Sequence, residues 1–151
     1  MTEIWFYHLR GQSIEAVLPP LLEKSLERGW RVVVQAASEE RVEALDAYLW
    51  TFRNDSFLPH ATWRDSEASR QPILLTVDDD NPNSAAVRFL LDGIPVPANA
   101  AAYERVVVIV DGTDEGAVEG ARAGCDDARK NGIEVTYWQA DERGRWQKAR
   151  S

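Results

Sequence analysis

Residues 105–131 read RVVVIVDGTDEGAVEGARAGCDDARKN. Arg105 to Val110 is an unbroken, β-branched apolar run, the kind of strand that a sheet buries on both faces. It is the most strongly apolar strand candidate in the chain and is expected at the centre of the sheet. Asp111 to Thr113 forms a turn, Asp114 caps a helix, and Gly132 stands where a helix C′ glycine would, just past Asn131. A buried-type strand feeding a capped helix is the repeating unit of a parallel α/β sheet.

The same unit recurs upstream. Ile4 to Leu9 (IWFYHL) is an aromatic-rich strand, and Ser13 is an N-cap. Ile14, Val17, Leu18, Leu21, Leu22, Ser25 and Leu26 follow on one helical face. Pro19-Pro20 interrupts that helix, which either kinks there or starts there. Gly29 closes it. Arg31 to Ala36 (RVVVQA) is a second buried strand; Ser38 caps a second helix with inner stripe Val42, Leu45 and Leu49. Pro72–Val77, Ala86–Leu91 and Glu134–Trp138 read as further strands, and Arg145–Lys148 as a short edge strand. Ile94 to Ala98 is too proline-rich for a central strand. The expected fold is α/β: a Rossmann-like three-layer domain with a mostly parallel central sheet and helices on both faces. In the last helix Gly116, Gly120 and Gly124 recur at spacing four, a ridge expected to let the helix lie close on the sheet.

At 151 residues the chain is expected to form one domain, residues 1–151, with its own core. No apolar run reaches the roughly 18 residues of a membrane span, and MTEIWFYHLRG lacks the features of a signal peptide. A lone cysteine, Cys125, excludes an internal disulfide framework and fits a cytoplasmic location. The formal charge of −8 argues against direct nucleic-acid binding by the surface as a whole. That charge is uneven. Residues 1–120 carry 10 basic and 20 acidic side chains, residues 121–151 carry 7 and 5, so an anionic ligand is expected near the C-terminal end.

Residues for catalysis are not in evidence. A phosphate cradle needs glycines where the first strand turns into its helix; that turn is Arg10-Gly11-Gln12-Ser13, and the later Asp111-Gly112-Thr113-Asp114 puts carboxylates where a phosphate would lie. The nucleotide-binding glycine loop is therefore missing. Asp78-Asp79-Asp80 invites a Mg²⁺ ion, but an Asp/Asn/Pro cluster between strands is ordinarily a solvated turn. His8 and His60 have no partner at ligand or triad spacing and are expected to be satisfied by local hydrogen bonds. Cys125 reads as a small core residue rather than a nucleophile. No cofactor, metal or catalytic residue is expected. The alternatives are a degenerate Rossmann-like nucleotide-binding protein, or a small metal-dependent enzyme built on Asp78–Asp80.

What remains is Leu45–His60, LDAYLWTFRNDSFLPH, where a helix ends among Trp50, Phe52, Phe57 and Leu58 around a polar break. Such aromatics are either tucked onto the core or offered to a partner. Together with FYHL (Phe6–Leu9), VLPPLLEKSLERGWRVVV (Val17–Val34), QPILLT (Gln71–Thr76), NPNSA (Asn81–Ala85) and GIEVTYWQADERGRW (Gly132–Trp146), this stretch resembles the chi subunit of bacterial DNA polymerase III holoenzyme. The segments occur in family order over nearly the whole chain.

The resemblance implies a Rossmann-like domain that binds no nucleotide, and an adaptor. One face would dock the psi subunit or another clamp-loader subunit, and another would grip the acidic, Phe-ended C-terminal tail of single-stranded-DNA-binding protein. Trp50, Phe57 and Pro59 match the docking face, as hot-spot anchors; alternatively, Trp50 closes the core and only Phe57 is exposed. The tail site falls on the last helix, at Arg122, Cys125, Arg129 and Lys130. Here Cys125-Asp126 replaces the family's aromatic-Lys pair, which removes stacking area and places a negative charge opposite an acidic ligand. Either tail affinity is low here, or Arg129 and Lys130, with Arg143, Arg145, Lys148 and Arg150, supply the charge instead, unless those last four form a solvated, frayed tail.

Overall fold

The computed structural model describes residues 2–51, 59–97, 100–140 and 145–148. Its elements are β1 (Glu3–Leu9), α1 (Ile14–Glu27), β2 (Val32–Gln35), α2 (Glu39–Thr51), β3 (His60–Thr62), β4 (Ile73–Thr76), β5 (Val87–Leu90), β6 (Arg105–Asp111), α3 (Glu115–Lys130), β7 (Glu134–Ala140) and β8 (Trp146–Lys148). The strands form one sheet in the order β3-β4-β2-β5-β6-β1-β7-β8. Six neighbouring pairs are parallel, and β7 with β8 is antiparallel.

The two-residue period of each strand sorts its side chains onto two faces. Leu9, Val32, Val34, Phe89 and Ile109 meet α1 and α2, through Leu18, Leu22, Leu45 and Leu49. Ile4, Phe6, Val33, Val106 and Val108 face the other way, towards Ala121, Cys125 and Ala128 of α3. The expected three layers are present, and β6 lies inside the sheet between β5 and β1.

Several local expectations change. α1 runs through Pro19 and Pro20 from a Ser13 cap whose hydroxyl accepts from the Ala16 amide at 3.2 Å, so it does not start at the prolines. The donors they lack would have served the carbonyls of Glu15 and Ala16, one turn from the helix start, and Ala16 is exposed to water. β3 is a further strand, three residues pairing parallel with β4, too short to leave a pattern.

The glycines of α3 are not pressed on the sheet. A Cβ at Gly120 would meet nothing within 4 Å, and one at Gly124 would touch the Phe6 ring at an ordinary 3.7 Å. The glycine side instead flanks a small cavity of about 140 Å³ towards Ile94–Val96. The tight position is Gly112, where a Cβ would stand 2.1 Å from the Leu9 carbonyl oxygen.

Residues 77–86 join two parallel strands, so they must traverse the sheet from the C-terminal end of β4 to the N-terminal end of β5. Two buried polar residues hold this crossing. Asn83 Nδ2 donates to the carbonyls of Val32 (3.1 Å) and Gln71 (3.0 Å). Arg88, fully buried in β5, donates to the carbonyls of Asp80 (2.8 Å) and Asp78, to the Tyr103 hydroxyl (3.0 Å) and to Gln35 Oε1 (2.6 and 3.1 Å). Asp78, Asp79 and Asp80 are exposed, as a solvated turn requires, but the segment as a whole is an anchored crossover.

Candidate partner-binding site

α2 places Val42, Leu45 and Leu49 against the sheet. The next residue is turned about 100° away by the helical repeat, so Trp50 faces out and is 50% exposed, the one large hydrophobic side chain so exposed among the described residues. Its ring lies 4.3 Å, centroid to centroid, from the imidazole of His60, tilted by 37°. That imidazole is buried, and its Nε2 reaches Asp46 Oδ1 at 3.1 Å and the Asp46 carbonyl at 3.3 Å. Trp50 therefore does not close the core. Pro59 is half-buried at the start of β3. Phe57 lies outside the described residues, as do Phe52 and Leu58. His60 is the supporting residue here: its local hydrogen bond was foreseeable, its position under Trp50 was not.

The second surface is α3. Asp114 Oδ1 accepts from the Ala117 amide at 3.1 Å, and Gly132 adopts φ +75° past the C-terminus. Arg129 and Lys130 stand in the last turn, where the helix dipole favours cations. Arg122 and Arg129, seven residues apart, share a side of the helix about 10 Å from one another. Arg122, Arg129 and Lys130 are exposed, whereas Cys125 is 2% exposed and faces the core. Burial pushes its thiol up to about 11. Cys125 therefore offers no surface contact. Asp126 lies between them, its carboxylate 4.0 Å from Arg129 Nη1.

Arg122 stands over a polar pair that sequence spacing does not reveal. His8 Nδ1 lies 3.0 Å from the Tyr137 hydroxyl, across β1 and β7. Burial lowers the pKa of His8, and the charges of Arg122 and Arg10 lower it further. Burial also raises that of Tyr137, with Arg122 acting in the opposite direction. Arg145 and Lys148 are exposed beside and within β8, so this part of the C-terminal segment is an edge strand; Arg143 and Arg150 lie outside the described residues.

Gly112 abuts the Leu9 carbonyl and the His8 ring, leaving no room for a side chain there. The carbonyls of Asp78 and Asp80 already accept from the Arg88 guanidinium. Among the described residues no three His, Cys, Asp or Glu side chains cluster to hold a metal, and no helix is long and apolar enough to cross a membrane.

The chain has recognisable relatives. A family model described as DNA polymerase III chi subunit, HolC, matches residues 1–136. A probable DNA polymerase III subunit chi from Rickettsia prowazekii is 25% identical over 117 residues, covering 74% of this chain and 71% of that one. The DNA polymerase III subunit chi of Pseudomonas aeruginosa is 29% identical over 114 residues, 73% of this chain and 78% of that one.

Proposed function

Because the chain belongs to the DNA polymerase III chi subunit family, we propose that it is a non-catalytic adaptor of the replicative polymerase, joining the clamp loader to single-stranded-DNA-binding protein in the cytoplasm. The observation that carries this reading is Trp50. A half-exposed indole on a rigid, buried His60 floor is the anchor that a protein–protein hot spot uses. With Pro59 and Phe57, Trp50 is proposed as the face for the psi subunit or another clamp-loader subunit.

The tail of single-stranded-DNA-binding protein is assigned to α3. Arg122, Arg129 and Lys130 supply the positive charge for an acidic segment, while Cys125, buried in the core, makes no contact with it. Asp126 opposes that ligand and partly occupies Arg129, so this reading includes a modest affinity.

Fluorescence anisotropy with a labelled copy of the tail tests it. Binding is expected at low salt and weakens as salt is added, because the contact is partly ionic. Arg122→Glu should weaken it by about tenfold or more, and Asp126→Lys should tighten it by about three- to tenfold. No binding at low salt defeats the tail-bridging role, and an Arg122→Glu variant that binds as tightly as the parent moves the site off α3.

A further inference from the structure

In a sheet wound on both faces, one region of this protein stays without a helix. α1 and α2 cover the β2 and β4 side of their face, and α3 covers β6, β1 and β7 from the opposite face. On the α1 side, α1 packs against Leu9 of β1, and β7 and β8 carry no helix among the described residues. Alongside α1, the space left there is a groove of about 630 Å³, within the range of ligand-binding clefts.

We propose that this groove is a second docking site, for a partner's peptide segment that carries carboxylates at one end and bulky apolar side chains beside them. Three observations specify that chemistry. The first is its wall, which is aromatic: Trp5 and Trp138 lie 5.5 Å apart, and Tyr7 meets Trp146 edge-on at 4.9 Å. Aromatic shelves of this kind take up large apolar side chains at little entropic cost.

The second is unmet hydrogen bonding. Among the described residues, the buried indole N–H groups of Trp5 and Trp138 meet no acceptor, and the Arg105 Nε–H is in the same condition. Each such donor is destabilising until an acceptor reaches it. These donors lie just beneath the groove lining, so carboxylate and carbonyl oxygens of an incoming peptide reach them as the aromatic side chains shift.

The third is charge. In a chain of net charge −8, one end of the groove gathers three cations. The Arg105 guanidinium lies 3.6 Å from the Trp5 ring centroid and 5.1 Å from that of Trp30, and Arg28 is 5.0 Å from the same Trp30 ring. Lys24 lines the groove one turn before Arg28. The acidic group paired with Arg105 is Glu3, 3.3 Å from its Nη2. The ion pair leaves Arg28 and Lys24 to face a ligand.

A peptide suits this arrangement better than a nucleic-acid strand. Single-stranded nucleic acid needs positive charge along its whole track, whereas these cations are confined to one end and Glu27, also on α1, is exposed nearby. The lining of α1 from Ala16 to Arg28 spans about 18 Å, the length of about five extended residues.

The site is separate from the α3 surface, so its test can fail independently. Labelled peptides sharing a central Leu-Phe pair, flanked by glutamates, glutamines or lysines, are titrated with the full chain at low salt, alongside an oligothymidine. The glutamate peptide should bind about tenfold tighter than the lysine peptide and change tryptophan emission. Lys24→Glu with Arg28→Glu, both exposed, should weaken it about tenfold or more with an unchanged thermal melt. Arg122→Glu with Arg129→Glu, which removes binding of the same peptide to α3, should leave the tryptophan-emission change unaffected. Absence of binding, equal binding of the three peptides, or loss only with the α3 pair overturns the proposal. So does an oligothymidine that binds tighter than the acidic peptide and is lost with Lys24 and Arg28.

Discussion

Arg88→Met should destabilise the protein by about 3 kcal/mol. The guanidinium is fully buried, and among the described residues it has no carboxylate partner; its five hydrogen bonds reach four neutral acceptors. Methionine keeps the apolar stem and removes every one of those donors. The carbonyls of Asp78 and Asp80 belong to exposed residues and can turn to water. Gln35 Oε1 and the Tyr103 hydroxyl sit inside, and each buried polar atom left unmet costs about 1–3 kcal/mol. Release of the desolvated charge offsets part of that loss, and loosening of the 77–86 crossover adds to it. Urea denaturation followed by tryptophan emission measures the difference. At about 2–4 °C per kcal/mol for a chain of this size, the melt should fall by about 6–12 °C. Proteolysis between Val77 and Ala86 should accelerate with it. A loss below about 1 kcal/mol, or a gain, would show that burying the cation outweighs its bonds and would refute the anchoring role.

Four other outcomes follow from the same coordinates. Trp50→Ala should barely change the melt, since half of the ring is already in water, yet weaken clamp-loader binding by about 2 kcal/mol or more, read by surface plasmon resonance; undiminished binding would remove Trp50 from the interface. Gly112→Ala should cost about 2–3 kcal/mol, because its Cβ would overlap the Leu9 carbonyl, whereas Gly120→Ala should gain about 1 kcal/mol, because its Cβ meets open space in a helix interior. Chemical denaturation separates the two, and equal effects would contradict the packing described. For Cys125, the folded thiol titrates near 11 against an ordinary value of 9.0. The unfolded chain ionises first, so stability should decline as pH rises from about 9 to about 11, and Cys125→Ala should remove that part of the decline. In the native protein a thiol reagent should modify Cys125 only on the timescale of opening; rapid labelling would place the sulfur at the surface.

Much of the fold was legible because its signals are local. Each buried strand and each helix start announces itself within a few residues, as Val32–Val34, Ser13 and Asp114 do. β3 was not, because three residues carry no period. The prolines misled because a proline's effect depends on which carbonyl it deprives, and here those carbonyls lie near the start of α1. The glycines of α3 suggested close packing, but small residues look the same whether they touch a sheet or a cavity.

The site was legible in part. Trp50 follows Leu49 on a helix whose stripe includes Leu45 and Leu49, so its outward turn was available from the 3.6-residue repeat. Its support by His60 and Asp46 depends on how β3 docks. Arg88 and the Trp5–Trp138 groove could not be found by spacing, since their partners come from segments far apart in the chain. Which way Arg88 points within AVRFLL is set by the sheet register alone.

The strand order also fixes a length. Trp50 packs beside β3 at one margin of the sheet, and Arg122 stands over β1 and β7 near the other. Five strand intervals of about 4.8 Å separate β3 from β1, roughly 25 Å across a hydrogen-bonded plate. A plate has no slack. Partners seated at the two margins would be held at one fixed separation, without the wide spread of distances that a flexible tether allows. Their mutual effective concentration would then follow from the number of strands between them, and insertion or loss of loop residues elsewhere in the chain would leave it unchanged.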